Sequence, residues 1–183
     1  MAATQHVALL RGINVGGRNK VAMADLRAAF EAHGFEAVRT YIQSGNVLFE
    51  ADDPADAREE QIEALLARRY GVPIVVVVRS AAELRAVVDD APAGFGARPD
   101  TFHSDVVFLR APLTPEEALR VVVCREGVDE VWPGTGVLYF ARLSAQRSRS
   151  RMSAIVGTPE YQRMTIRSWS TTTKLCSFLP PPA

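Results

Sequence analysis

The sequence predicts an α+β protein made of two tandem ferredoxin-like (βαββαβ) subdomains, with a linking helix between them and a C-terminal helix. Three observations predict this class. Short apolar runs alternate with stretches in which apolar residues have helical spacing. The order strand, helix, strand, strand, helix, strand occurs twice along the 183 residues. The segments VALLR and SGNVLF of the first half also have counterparts, VVFLR and GTGVLYF, in the second.

The elements of the first half follow from apolar spacing and from residues that cap helices. A continuous apolar run is typical of a buried strand, and apolar residues three or four positions apart indicate a helix. The predicted elements are a strand at 7–10, a helix from Met23 to Gly34, a hairpin of 38–42 and 47–49, a helix from Asp53-Pro54 to Gly71, and a strand at 74–78.

The second half repeats this order after a linking helix that begins with the capping box Ser80-Ala81-Ala82-Glu83. Its predicted elements are a strand at 106–109, a helix from the capping box at 114–117, strands at 128–132 and 137–140, an arginine-rich helical stretch ending near Gly157, a strand at 164–167, and a helix capped by Ser170. We expect a first subdomain at 1–79, a linker at 80–103, a second subdomain at 104–179, and a disordered tail at 180–183.

Composition places the chain among ordinary globular proteins. It is 48% hydrophobic and 23% charged, and its formal net charge is zero, so no overall field attracts nucleic acid or membrane. The charge is nevertheless segmental, because the chain after residue 141 is strongly basic. No apolar run has the length of a signal peptide core or a membrane span, and we expect a cytoplasmic protein without membrane contact.

The cysteines and histidines predict neither a disulfide nor a metal site. Cys124 and Cys176 are far apart among apolar neighbours, and we expect two reduced, buried thiols. His6, His33 and His103 lack the spacing of metal ligands and are expected to be surface or capping residues. No metal and no cofactor are predicted, and no GxSxG, HExxH or paired catalytic carboxylates are present.

Two polar connections of the first half are predicted to meet. A right-handed crossover makes the first two strands parallel, so the loop after the first strand and the hairpin turn share one edge of the sheet. Backbone N–H groups, a helix N-terminus and cations at that edge would suit a phosphate or a carboxylate. The candidate residues are Arg11, Asn14, Gly16, Gly17, Arg18, Asn19 and Lys20 of the loop and Gln43, Ser44 and Asn46 of the turn.

The loop sequence also allows other interpretations. Gly12 and Gly17 have the glycine spacing of a P-loop, but Arg18-Asn19 stands where that motif has Lys followed by Ser or Thr, which argues against a nucleoside triphosphatase. A purely structural loop, with glycines at positive φ and asparagines bonded to the backbone, remains an alternative. An RNA-recognition sheet is disfavoured, because the strands lack the stacking aromatics it needs.

The segment 165–175 offers a second polar rim. A strand leads into a helix start that is rich in hydroxyl groups, and its first-turn N–H groups together with Arg167 would form this rim. Trp169 would form a wall of this site, and Lys174 adds a cation. The alternative is that Trp169 packs between the two subdomains.

Several of these motifs resemble a known family. The stretches RGINVGGRNKVAMADLR, VRTYIQSGNVLF and IRSWSTTTKL are similar to the signature of the bacterial Domain of Unknown Function 1697 family. The resemblance implies two related α+β subdomains and no established activity. This chain has Arg167-Ser168-Trp169 where the family usually has Arg-Asn-Trp, and Ser150-Arg151-Met152 where it has a Ser-Lys-Leu-like element.

The leading functional hypothesis is a protein that binds a small anionic or nucleotide-like ligand at the loop and the turn. One alternative is a nucleic-acid-associated module that uses the loop and the basic C-terminal third. The other is an interaction protein without catalysis. No pairing of a nucleophile with a base predicts an enzymatic reaction, and the oligomeric state is left open.

Overall fold

A computed structural model describes residues 4–17, 19–51 and 55–180, without the side chains of 55–57. Three sequence-based expectations lie outside these residues: the site residue Arg18, the helix start at Asp53-Pro54, and residues 181–183 of the predicted tail. The chain divides into two compact units. The first comprises the described residues up to Leu84 together with Leu179 and Pro180, and the second comprises Arg85–Phe178.

The first unit has the predicted order of elements. They are β1 (Thr4–Leu10), α1 (Met23–Ala32), β2 (Glu36–Tyr41), β3 (Asn46–Ala51), α2 (Ala55–Tyr70) and β4 (Val76–Ser80). The sheet has the strand order β2-β3-β1-β4, and each neighbouring pair is antiparallel. This is the ferredoxin-like arrangement expected from the sequence.

The core of the first unit lies between the sheet and its two helices. Every second residue of the strands faces the helices, as in Ala8 and Leu10 of β1. Leu26 and Phe30 of α1 and Ile62 of α2 are fully buried against these side chains. The apolar spacing that predicted the helices is therefore the spacing of their buried faces.

The second unit repeats the sheet. After α3 (Ala81–Asp89), which crosses the division between the units, come β5 (Phe102–Leu109), α4 (Pro115–Val121), β6 (Asp129–Gly134), β7 (Val137–Leu143), β8 (Met164–Ser168) and α5 (Trp169–Ser177). The strand order is β6-β7-β5-β8, again antiparallel throughout. The fold is thus α+β with two tandem ferredoxin-like units.

The arginine-rich stretch between β7 and β8 differs from a regular helix. It forms three short 3₁₀ segments, Ser144–Arg149, Met152–Ile155 and Glu160–Arg163. Serine competes for backbone hydrogen bonds, and few apolar residues of this stretch recur at helical spacing, so no long α-helix has a face to bury. The second unit accordingly has no counterpart of the long helix α2 in this connection.

Both predicted capping boxes are confirmed, but the predicted cap of the last helix is wrong. Glu83 bonds Ser80, and Glu117 bonds Thr114, in the reciprocal pattern. The last helix is capped two residues earlier than expected, by Ser168, whose Oγ accepts from the Thr171 N–H at 3.2 Å. Ser170 therefore lies inside the first turn.

Two further expectations are corrected. The free thiol of Cys124 is exposed, because it lies in the connection after α4 ends at Val121, and that of Cys176, in the last turn of α5, is half-buried. His6 is buried, with 3% of its surface exposed, whereas a surface or capping role was expected. His33 does occupy the C-cap of α1, and His103 is exposed.

Candidate functional site

The Gly-rich loop (residues 11–22) and the hairpin turn (residues 42–45) lie at one edge of the first sheet. β3 is antiparallel to both β1 and β2, so β1 and β2 end at the same edge. The Leu10 N–H donates to the Gly45 carbonyl oxygen at 2.9 Å, which places the end of β1 beside the turn. The predicted chain direction is confirmed.

The Asn14 side chain joins the loop to the turn. Its Oδ1 accepts from the Val21 N–H at 2.8 Å, and its Nδ2 donates to the carbonyl oxygens of Val21 and Gln43, each at 2.9 Å. The backbone of Asn14 has a φ of +54°, a conformation that asparagine tolerates better than most residues. Because both amide protons are engaged, Asn14 positions the loop.

Close packing also joins the two segments. Ile13 is only 1% exposed, and its side chain lies against Gly45 of the turn. A Cβ atom on Gly45 would lie 2.5 Å from Ile13 Cδ1 and 2.9 Å from Ile13 Cγ1. With its φ of +80°, Gly45 is a position where the turn and the close approach both require glycine.

The other two asparagines of the predicted site hold the backbone as well. Asn19 Nδ2 donates to the carbonyl oxygen of Gly12 at 3.1 Å, across the base of the loop. Asn46 is fully buried, and its Nδ2 donates to the Tyr41 carbonyl oxygen at 2.9 Å and to Ser44 Oγ at 3.1 Å. Both side chains therefore hold the backbone at this edge, Asn46 from the interior and Asn19 from the exposed side.

The groups that face solvent are fewer. Gly16, Gly17 and Lys20 are exposed at the tip and the end of the loop. Arg11 is half-buried, and its backbone N–H donates to the Val75 carbonyl oxygen at 2.9 Å. The exposed part of the predicted site therefore combines the glycine backbone with the side chains of Asn19, Lys20 and Gln43.

The N-terminus of α1 already faces a negative charge. Ala22, the N-cap residue, makes no side-chain capping bond, while Asp25 lies in the first turn. Hydrogen bonds from Arg69 and Tyr70 lower the pKa of the Asp25 carboxyl group. An external anion would thus meet the loop backbone before the helix terminus.

The second unit makes the same connection with far fewer residues. Twelve residues, 11–22, separate β1 from α1, whereas five residues, 110–114, separate β5 from α4. The flanking geometry is the same, since the Arg110 N–H donates to the Arg163 carbonyl oxygen at 2.8 Å in the way that Arg11 bonds Val75. The fold therefore does not require the longer loop.

Comparison with protein families agrees with this architecture. The model of the family described as "Protein of unknown function (DUF1697)" matches residues 3–139. The chain belongs to this family. The match contains the Gly-rich loop and the hairpin turn, which are therefore parts of the DUF1697 region.

A solved structure extends the likeness to nearly the whole chain. The conserved bacterial protein SP0830 from Streptococcus pneumoniae is 28% identical, with a TM-score of 0.83 over 98% of this chain and 100% of that chain. No curated protein matches this DUF1697 protein. Within residues 4–17, 19–51 and 55–180, no helix is long and apolar enough to cross a membrane. The same residues contain no group of three or more His, Cys, Asp or Glu side chains suited to a metal ion.

Arg167, of the predicted second rim, lies in the second unit and is buried. Its guanidinium Nη1 donates to Thr165 Oγ1 at 3.0 Å and to the Ile166 carbonyl oxygen at 2.8 Å. Burial lowers its pKa to about 10. These two bonds attach the guanidinium to its own strand.

The other two residues of that rim have separate surroundings in the second unit. Trp169 packs edge-to-face on Phe95, with ring centroids 5.1 Å apart. Lys174 is exposed, and its Nζ lies 5.0 Å from the centre of the Phe178 ring. Trp169 and Lys174 thus contact different rings, and a joint site of Arg167, Trp169 and Lys174 stays a prediction.

Sequence reasoning missed a buried polar cluster in the first unit. His6 Nδ1 donates to the Thr4 carbonyl oxygen at 2.7 Å, and His6 Nε2 accepts from the buried guanidinium of Arg58. Glu59, also buried, accepts the Val78 N–H at 2.9 Å. Burial and the charge of Arg58 lower the pKa of His6. The helical spacing of α2 gave no signal, because charged residues at such positions are usually exposed.

The second unit has a polar side chain at the equivalent place. Asp105 occupies the position of His6 in the repeated strand and is 7% exposed. His103 Nε2 lies 3.1 Å from one of its oxygens, and Arg142 lies 3.5 Å from the other. Burial raises the pKa of Asp105 despite these two neighbours. In each sheet, a buried polar residue therefore lies in the first half of the central strand, away from the strand end that leads into the next connection.

Proposed function

We propose that the first unit binds a small anionic ligand at the Gly-rich loop beside the hairpin turn. The observation that carries the proposal is the length of the loop: twelve residues stand where the second unit completes the same turn in five. An insertion that the fold does not need, held by bonds of its own, is typical of a binding loop.

The loop and the hairpin turn also contain residues in the left-handed backbone conformation, which is unfavourable for residues other than glycine. Asn14, Asn19 and Ile42 have φ values of +54°, +46° and +49°, although none of them is glycine. Such residues persist only where the surroundings fix them, and they cluster at ligand sites. The bonds of Asn14 to Val21 and Gln43 supply that constraint.

The exposed groups define the ligand class. Backbone N–H groups at Gly16 and Gly17 and the ammonium group of Lys20 suit a phosphate or a carboxylate. Val15 is 64% exposed and Ile42 is 46% exposed, one on the loop and one beside the turn. A nucleotide-like ligand, which joins an anion to a flat and partly apolar body, would use both kinds of surface. The reduced thiols fit a cytoplasmic setting for this protein.

The test is thermal stabilisation of the full chain by inorganic phosphate, pyrophosphate, adenosine monophosphate and acetate. A true ligand at a hundredfold excess over Kd stabilises by about 2.7 kcal/mol. Lys20→Ala should weaken binding about tenfold, because it removes a charge-assisted hydrogen bond. Arg120→Ala, which removes an exposed cation from α4, is the matched control and should bind as well as the unchanged protein.

Two results would contradict the proposal. One is the absence of stabilisation by all four anions. The other is an equal loss in Lys20→Ala and Arg120→Ala, which would indicate a general charge effect. Oligonucleotide binding that depends on Lys20 and falls by decades over a few-fold rise in salt would instead favour the nucleic-acid alternative.

A further inference from the structure

A cavity of about 260 Å³ lies on the second unit, between the segment 92–98 and one face of its sheet. Three half-buried aromatic side chains form much of its wall: Phe95 of the segment, Phe102 of β5 and Trp132 of β6. Nothing in the proposed function of the first unit uses this cavity. Its volume is just below the range of about 300–1,000 Å³ typical of sites for drug-sized ligands, so it suits a small molecule.

The strand register explains why these side chains share one face. Ser104 pairs with Ala141, and Ala141 pairs with Glu130, so all three side chains point to the same side. Trp132 is two residues along β6 from Glu130 and therefore joins them. The main core of the unit, with Val107 and its neighbours, lies on the other side.

Aromatic contacts hold the segment 92–98 over the sheet. The Phe95 ring meets Trp132, Tyr139 and Trp169 edge-to-face, with centroids 6.0, 5.3 and 5.1 Å apart. Gly96 lies so close to the Trp169 ring that a Cβ atom there would overlap it. The wall formed by Phe95 is therefore fixed in place, and the cavity is part of the folded unit.

One polar group inside the cavity lacks a partner. Ser104 lines it, is 8% exposed, and makes no side-chain hydrogen bond with any residue the structure describes. Its Oγ atom keeps some accessible surface, so it is open to the cavity, and a bound donor or acceptor can pair with it in place of water. Serine can serve as either donor or acceptor, so it fits a ligand that carries a hydrogen-bonding edge.

The charges at the mouth balance each other. Arg98 and Glu130 are both exposed and line the same cavity. The Arg98 guanidinium carbon lies 4.8 Å from the centre of the Phe102 ring, so this cation also covers an aromatic wall. Exposed ion pairs contribute at most about 1 kcal/mol, whereas each aromatic stack on a planar ring contributes about 1–3 kcal/mol. The aromatic walls therefore dominate over the charges.

We propose that this cavity binds a neutral, planar heteroaromatic molecule of the size of a nucleobase, with Ser104 as its hydrogen-bond partner. The flat walls select a ring, the hydroxyl selects a polar edge on that ring, and the balanced mouth gives no advantage to a net charge. The site contains no residue of the Gly-rich loop, so this proposal does not depend on the function proposed for the first unit.

The experiment titrates the full chain with adenosine, uridine and indole, follows calorimetric heat for all three probes, and follows tryptophan fluorescence for the two nucleosides. Trp132 is one of only two tryptophans in the sequence, and stacking on it quenches emission. We expect saturable binding of at least one probe with a Kd of about 1 mM or below, as suits a ligand of this size. Adenosine and uridine distinguish a purine from a pyrimidine preference, and indole measures the ring alone.

Variants assign the binding to the cavity. Ser104→Ala should raise the Kd about two- to tenfold, and Trp132→Ala about tenfold or more. Trp132→Phe keeps a ring at this position and should recover part of the affinity, which excludes unfolding as the cause of the loss. Ser148→Ala removes an exposed serine from a 3₁₀ segment of the same unit, and it should bind like the unchanged protein.

Three outcomes would overturn the proposal. The first is no saturable signal from any of the three probes. The second is binding that Ser104→Ala and Trp132→Ala leave unchanged. The third is binding of the zwitterion tryptophan tenfold more tightly than indole with loss of that gain in Glu130→Gln, because a charged ligand would then be the occupant.

Discussion

Replacing Gly45 by alanine tests whether the hairpin turn and the Gly-rich loop are one packed unit. Gly45 has a φ of +80°, and the new Cβ atom would lie 2.5 Å from Ile13 Cδ1 and 3.0 Å from Leu10 Cβ. Real Cβ atoms do not approach carbon so closely, so Ile13, which is fully buried, would have to move. We expect Gly45→Ala to destabilise the first unit and to loosen the loop.

The magnitude follows from two contributions. The left-handed conformation costs an alanine roughly 1–2 kcal/mol, of which about 0.4–1 kcal/mol is offset by the lower entropy of the unfolded chain. Forcing an extra methyl group into a packed core costs about 1–3 kcal/mol more. Gly45→Ala should therefore lower the free energy of unfolding by about 1–4.6 kcal/mol. Gly16→Ala is the matched control, because Gly16 has a φ of +57° and open space around its Cα, so it should lose only about 1 kcal/mol.

Urea unfolding followed by far-UV circular dichroism measures both variants. Tryptophan fluorescence alone would not serve, because Trp132 and Trp169 both belong to the second unit. If Gly45→Ala and Gly16→Ala differ by less than about 0.5 kcal/mol, the overlap with Ile13 has no energetic effect and the close packing of loop and turn is refuted.

Two other predictions concern the buried His6 of the first unit and the N-cap of α5 in the second. His6 accepts a hydrogen bond from Arg58 through Nε2, and its folded pKa lies below its ordinary 6.5, so the unfolded chain binds more protons than the folded chain below that pH. The contribution of His6 to stability should thus be greatest well above pH 6.5 and fall as the pH drops below it. Urea midpoints should therefore fall less on acidification in His6→Gln than in the unchanged protein. Ser168→Ala should cost about 1 kcal/mol in thermal unfolding, because it removes the N-cap of α5, whereas Ser170→Ala should be close to neutral; equal effects would contradict the cap assignment.

The topology of the first unit could be predicted because it depends on features that the sequence displays directly. Apolar spacing located β1 and α1, the turn residues located the hairpin, and the crossover rule then fixed the common edge. The hydrogen bond between the Leu10 N–H and the Gly45 carbonyl oxygen agrees with this common edge. Each of these steps uses local pattern and handedness alone, which a single sequence contains.

The division of labour among the polar residues of the loop could not be predicted in the same way. Asn14, Asn19 and Lys20 are equally polar in sequence, yet the two amides bond the backbone and the ammonium group faces solvent. Which of these occurs depends on where carbonyl groups from distant parts of the chain arrive, such as that of Gln43. The N-cap of α5 is a second example. Ser168 and Ser170 are chemically identical, and Ser168 is the cap because β8 ends at that residue.

The repeated fold allows the two units to be compared position by position as candidate binding sites. The Leu109 N–H donates to the Gly136 carbonyl oxygen at 3.0 Å, as Leu10 does to Gly45, so the two sheets are bonded alike at equivalent edges. The two sheets therefore give a ligand similar surroundings, and any difference in binding between the units must come from the connections attached to each sheet. In the first unit that is the twelve-residue loop at the edge, and in the second it is the segment 92–98 over the sheet face. Both proposed sites are therefore built from connections, which can change without altering the strands that support them.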